Sequence, residues 1–303
     1  MKPTELVYSS HDRCEYLHRD WMVMRALESY DNRTIFYLPF SSGAWADQDY
    51  SWGTFSWYFD RFAPDGLVPR SFFWSEDLKP EDAALFFHWL ANSEVVILGG
   101  GKTRTGIERY NGIGERFYDD PERFLRTLRE RQSSGKLTVG YSAGADQLCE
   151  YSGDDSSPCY GLIHKVVVRL HFSPGGEGHI EHLARTHTDC LAFGLPNDSG
   201  IAANQGYTSQ GTFWQYIQVI TDNSWDKPED QHHIKTRQGV KIEHRYPDGR
   251  DWKFNGGDSL LRLIHRDGGQ EAWIRQPHEP TLRDYWSHEP TEYRTPAEIV
   301  GSR

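Results

Sequence analysis

The sequence predicts an α/β protein: a mostly parallel sheet with helices on both faces, followed by a C-terminal β-rich extension. Three observations carry this expectation. Short apolar runs alternate with helical patterns through the first two-thirds of the chain, which is the order of βα units. Two of those runs, at 94–98 and 137–141, end in glycine-rich corners. From about residue 226 the pattern changes to paired short β runs around Tyr246-Pro247-Asp248-Gly249 and Asp267-Gly268-Gly269, which carry hairpin-turn chemistry.

Taken in order, residues 34–38 read as a strand that stops at Pro39 and gives way to a Ser41-Ser42-Gly43 loop. Aromatic residues at mixed three- and four-residue spacing predict a helix over 50–62, and 67–74 reads as the next strand. Pro80 at a first helical position, with Glu81 and Asp82 in the first turn, opens a helix through 90. The strand 94–98 runs into Gly99-Gly100-Gly101, and Asp120-Pro121 reads as cap and first residue of a helix through about 132. The strand 137–141 meets a helix beginning near Asp146 across a tight corner. A strand at 165–170 and a helix at 178–190 follow, then strands at 241–245, 251–254, 259–264 and 271–274. The tail after Gln276, rich in Pro, His and Glu, reads as an extended or loosely packed arm. The expected division is an α/β catalytic domain over 1–225 and a hairpin-rich extension over 226–303 packed on it.

The 303 residues are 37% hydrophobic and 14% aromatic, enough for a packed core. A formal net charge of −11 argues against nucleic acid or an anionic membrane surface as a partner. Cys14, Cys149, Cys159 and Cys190 show neither CxxC spacing nor the density of a disulfide framework, which fits a reducing compartment. No apolar leader and no membrane-length stretch stand out, so the expectation is a cytoplasmic protein without a membrane partner. No pattern calls for a cofactor or a metal.

The chemistry concentrates at Gly140-Tyr141-Ser142-Ala143-Gly144-Ala145. A serine at a strand-to-helix corner flanked by small residues is the pattern of a nucleophile elbow, whose hydroxyl stands exposed beside the free N–H groups of a helix start. The plain alternative is a tight turn with a capping serine. A serine nucleophile needs a base, and among fourteen histidines His171 is best placed, just past the 165–170 strand. If that strand neighbours the Ser142 strand in a parallel sheet, both residues emerge at the same carboxyl edge. The orienting acid is Asp198, with Asp154 and Asp155 as rivals. Gly99-Gly100-Gly101 lets backbone N–H groups approach a carbonyl closely, as half of an oxyanion hole. Lys102-Thr103 after it suggests a phosphate loop, but the opening glycine of that motif falls on Val96.

These residues carry a resemblance to the family of serine peptidases that contains peptidase E (aspartyl dipeptidase) and cyanophycinase. In family order the matching segments are Leu38-Pro39-Phe40, Val96 through Gly101, Gly140 through Ala145, His171-Phe172 followed by Glu177-Gly178-His179 and Arg185, and Gly194-Leu195-Pro196. They span about residues 30 to 205. The resemblance implies a flavodoxin-like or class I glutamine amidotransferase-like fold, Ser142 as nucleophile and His171 as general base. It also implies an oxyanion hole from the N–H groups of Gly100 or Gly101 and of Ala143. Arg185, with His179 beside it, falls where the family binds a substrate carboxylate. The implied substrate is a small, acidic Asp-X peptide. Two positions depart from the family. Its acid follows Gly-Leu-Pro directly, where this chain has Asn197, so either Asp198 serves through a one-residue shift or the site is Ser-His-Asn. Lys102 stands where the family often has Asn and is a further candidate for reading an acidic substrate. The C-terminal segment exceeds a minimal peptidase E and is expected to cover the site, restrict substrate length or form a homodimer contact.

Three other readings compete. An α/β-hydrolase esterase shares G-x-S-x-G and would use a late histidine, His265 or His278. A non-catalytic ligand-binding relative would explain Asn197 as a lost acid. A zinc site from His179, His182 and His187 lacks the H-E-x-x-H pattern.

Overall fold

Apolar runs of four or five residues, too short for helices and bounded by polar or glycine-rich turns, build the centre of the fold. In the computed structural model, which describes residues 2–10, 16–30, 32–222, 242–246 and 248–302, five short strands form a parallel array; four come from such runs, and the edge strand, Val68–Ser71, is more polar and has no buried residue. These are β1 (Glu5–Tyr8), β2 (Thr34–Leu38), β3 (Val68–Ser71), β4 (Val95–Leu98) and β5 (Leu137–Tyr141), in the spatial order β1-β5-β4-β2-β3. Every residue of β1, β4 and β5 is buried, as expected of strands covered on both faces.

One face is covered by a helical segment over Leu17–Val23 that continues as α1 (Met24–Leu27), and by α2 (Trp45–Phe59), through Met22, Val23, Phe55 and Phe59 against Leu6, Tyr37, Ile97 and Val139. The other is covered by α3 (Pro80–Asn92), α4 (Thr103–Tyr118) and α5 (Arg123–Ser133), through Phe86, Tyr110 and Phe124 against Val7, Phe36 and Val96. α6 (Ala143–Leu148) follows β5 directly.

β6 (Val166–Leu170), α7 (Glu177–Thr186) and β7 (Leu191–Leu195) come next, then the long strands β8 (Ser199–Tyr207) and β9 (Phe213–Thr221). The chain continues through β10 (Ile242–Arg245), β11 (Asp251–Phe254), β12 (Ser259–Ile264), β13 (Gln270–Arg275), β14 (Arg283–Asp284) and α8 (Pro296–Gly301). β8, β9, β12, β13 and β14 add to β1 as antiparallel neighbours and complete a ten-stranded sheet. A second, four-stranded sheet, β11-β10-β7-β6, packs through Val166, Val168, Phe193 and Phe254 on Ile201, Ile217, Leu260 and Ile274 of the first. Its outer face holds Val167 and Ala192 under Ile180 and Leu183 of α7.

The mixed α/β architecture agrees with the expected class, and four local expectations are corrected. The large sheet is parallel over one half only, because β8 and β9 return antiparallel beside β1. β6 does not neighbour β5 but lies in the second sheet. α4 is an element that the sequence pattern does not announce, since Gly106, Gly112 and Gly114 lower its helical signal. Two of them are required by space: a Cβ at Gly106 would sit 2.1 Å from Gln147 Nε2, and one at Gly114 2.3 Å from the Asp120 carbonyl. The tail is packed rather than loose, with Leu282, Tyr285 and Ile299 buried and α8 capped by Thr295. Both expected hairpins form, β10–β11 and β12–β13, with Gly249 and Gly268 at positive φ in their turns. The expected division near residue 225 lies outside the described residues.

Candidate active site

Ser142 occupies the corner between β5 and α6 with φ 50° and ψ −120°. A side chain seldom tolerates that backbone, and holding it costs about 1–3 kcal/mol. The surroundings impose it: Ser142 N–H donates to the Tyr8 carbonyl at 3.1 Å, and its own carbonyl accepts from Ala145 N–H at 2.9 Å. The flanking glycines are fixed by close approach of backbone. A Cβ at Gly140 would lie 2.2 Å from the Gly144 carbonyl oxygen, and one at Gly144 2.1 Å from that of Leu98.

His171 follows β6 and also has a left-handed backbone, φ 52°. Its N–H donates to Ser9 Oγ at 2.6 Å, and Ser9, fully buried, stands just past β1, the neighbour of β5. This bond brings a residue from the second sheet to the rim of the first. The His171 ring then lies with Nε2 3.4 Å from Ser142 Oγ and Nδ1 2.8 Å from Asn197 Oδ1. With the amide oxygen accepting, the proton sits on Nδ1 and the Nε2 lone pair faces the serine.

Asn197 therefore takes the position beside the histidine, and Asp198 does not. The turn after β7 is tied by Ser199 Oγ donating to the Pro196 carbonyl at 2.6 Å, and Asp198 adopts φ 60°. That conformation turns Asp198 into the interior, where it is fully buried, while both ring nitrogens of His171 are engaged without it. The rival acids are occupied elsewhere: Asp154 pairs with Arg169, and Asp155 accepts from Ser157.

The glycine loop closes the other side of Ser142. The Cβ direction of Gly100 points within 3.3 Å of Ser142 Cβ, and Gly101 has φ 134° with the Ser41 carbonyl only 2.0 Å from where a Cβ would stand. Lys102 N–H donates to the Ser41 carbonyl at 2.9 Å, whereas the N–H groups of Gly100, Gly101 and Ala143 meet no acceptor among the described residues. The glycine loop is tied to the elbow through Asp146, one turn into α6. Its carboxylate accepts from Thr103 Oγ1 at 3.2 Å, Ser152 Oγ at 3.1 Å and Gly153 N–H at 3.2 Å. Burial pushes this carboxyl up to about 7, against which the Gly153 and Ser152 hydrogen bonds act.

No family model and no curated protein sequence matches the chain. Among solved structures, it is similar to a peptidase from an acI-B1 Actinobacterium. The likeness has 15% identity and a TM-score of 0.57, covering 86% of this chain and 96% of that one. It is a likeness of fold.

Of the expected recognition residues, Lys102 is exposed at the mouth of the glycine loop. Arg185 is exposed on α7 and held by Glu181 of its own helix at 2.6 Å; His179 is exposed on the same helix. His187 stacks on Tyr151 with centroids 4.0 Å apart, and among the described residues no three His, Cys, Asp or Glu side chains form a metal cluster. His265 pairs with Glu271 at 2.7 Å on the β12–β13 hairpin. No helix among the described residues is long and apolar enough to cross a membrane. Two residues of the site, Ser9 and Asp146, carry no signal in the sequence pattern. Ser9 follows a strand that the opening residues do not announce, and Asp146 reads in sequence as an ordinary first-turn acid.

Proposed function

We propose that the protein is a serine-dependent hydrolase that cleaves amide bonds of small, acidic Asp-X peptides through an acyl-enzyme. The observation that carries this reading is the chain Ser142 Oγ, His171 Nε2 and Nδ1, Asn197 Oδ1, set at a strained elbow beside glycine N–H groups. The peptidase likeness in fold and the resemblance to the peptidase E and cyanophycinase family support the same reaction class.

His171 Nε2 takes the Ser142 proton as Oγ attacks the carbonyl carbon. The tetrahedral oxyanion is met by Ala143 N–H and by Gly100 or Gly101 N–H. Collapse expels the amine, which leaves with the proton from His171, and water then hydrolyses the ester by the same steps in reverse. Asn197 holds the imidazole in the tautomer that this requires. An amide supplies no negative charge to the imidazolium, so the site is weaker than one with a carboxylate at the same place. Lys102 is the cation best placed to read the acidic group of a substrate, because it is exposed directly after the glycine loop.

Asp-X dipeptides and short acyl esters, compared for wild type and Ser142→Ala, test the reaction class. Serine-dependent turnover of the dipeptides is the expected result. The neutral Asn197 favours one second reading, a non-catalytic binding relative. Saturable dipeptide binding without turnover in either protein would replace the hydrolase with it.

A further inference from the structure

A second cleft, of about 340 Å³, opens at the edge between the two sheets. It borders the residues that lead into β7, whereas Asn197 lies past the far end of that strand, about 17 Å along it. Its volume is in the range of small-ligand sites.

Its floor includes Arg262 of β12, whose side chain is buried between the sheets. Nε donates to Gln215 Oε1 at 3.0 Å, and Nη2 to the carbonyls of His164 and Lys165 at 3.1 and 2.9 Å. Nη1 has no acceptor, and no carboxylate pairs with this guanidinium among the described residues. A buried cation with no carboxylate bonded to it is expensive; burial pushes Arg262 down to about 10, while the nearby Tyr246, Cys190 and Asp189 act the other way. Arg131, also buried to within 2% of its surface, differs: its three nitrogens bond the carbonyls of Leu90, Ser93, Glu94 and Leu137 and the Thr138 hydroxyl. Arg262 alone of the two keeps donor capacity in hand.

The walls add charge of both signs and a flat aromatic surface. Arg250 lies 4.0 Å over the Trp286 ring and donates through Nε to Asp248 at 2.7 Å. Asp189 is half exposed and only loosely paired with Lys165, at 3.8 Å. Tyr246 stands beside Trp286, with ring centroids 5.0 Å apart. Two guanidinium groups and two carboxylates line one cleft, so a simple anion meets repulsion as well as attraction. A ligand with a carboxylate at one end and an ammonium at the other satisfies both.

We propose that this cleft binds a free α-amino acid, its carboxylate on the Arg262 and Arg250 side and its ammonium toward Asp189 and Asp248. The proposal does not depend on the hydrolase reading. Isothermal titration of the full chain with each of the common L-amino acids tests it, with the matching amino-acid amides and acetate as controls. The expected result is one-site binding of at least one amino acid, tenfold or more weaker for its amide and for acetate. Arg262→Gln and the surface variant Arg250→Ala should each weaken it by tenfold or more, and Arg250→Ala decides the matter even if Arg262→Gln fails to fold. Three results would overturn the proposal: no amino acid binding at millimolar concentration, acetate binding as tightly as the amino acid, or affinity unchanged within twofold in Arg250→Ala. Unchanged affinity there would assign the binding to another site, including the one at Ser142.

Discussion

Replacing Asn197 by aspartate places a carboxylate oxygen where an amide oxygen now stands, 2.8 Å from His171 Nδ1. The shape is nearly conserved and the charge is not. When His171 takes the serine proton, the new carboxylate faces an imidazolium at about 4 Å between charge centres, worth roughly 4 kcal/mol at an effective dielectric constant of about 20. His171 is exposed and Asn197 only half buried, so solvent screening reduces this to about 1–1.5 kcal/mol. That corresponds to about a tenfold faster attack by Ser142. Asn197→Ala has the opposite effect. It removes the hydrogen bond that selects the tautomer, and the rate should fall by about a hundredfold or more. The second-order rate of inactivation by a fluorophosphonate, measured at fixed pH for the three proteins, reports the step directly. Equal rates for Asn197→Asp and Asn197→Ala, or no change in either, would refute the role given to residue 197.

Three further outcomes follow from the same geometry. Ser142→Gly should stabilise the fold by about 1 kcal/mol while abolishing inactivation, because glycine adopts φ 50° and ψ −120° without strain; a urea midpoint reads it. Ser9→Ala leaves the His171 N–H without its acceptor, and should lower both stability, by about 1–2 kcal/mol, and the inactivation rate. Glu5, buried and pushed up to about 8 from 4.5, holds its proton in the fold at pH values where the unfolded chain has lost it. The native state then binds more protons, so stability falls as pH rises from about 4.5 to about 8. Glu5→Gln should remove that decline, and thermal melts at about pH 5 and about pH 9 should show the variant gaining on wild type at the higher pH.

The elbow and the histidine beside it are legible in the sequence because each announces itself locally. Gly140, Ser142 and Gly144 are demanded by backbone contacts within the strand–turn–helix unit and its neighbouring strand. The position of His171 past a strand end is readable, but its route to the serine is not: β6 belongs to the second sheet, and the bridge is made by Ser9. Nothing in a local pattern records a hydrogen bond across 162 residues. The choice between Asn197 and Asp198 likewise turns on one left-handed residue in the loop, which alternation of polar side chains does not encode. α4 is hidden because its glycines serve tertiary packing against Gln147 and Asp120 rather than helix propensity. The two C-terminal hairpins are readable from their turns, but their partners β7 and β9 are not, since pairing between distant strands depends on the whole sheet.

Mass-spectrometric mapping of a fluorophosphonate adduct on the folded protein tests the catalytic role of Ser142 and His171 most directly. A single adduct on the peptide containing Ser142, formed in wild type and absent in His171→Ala, is the predicted result. A folded wild type that forms no adduct, or forms it on another serine, would contradict that role.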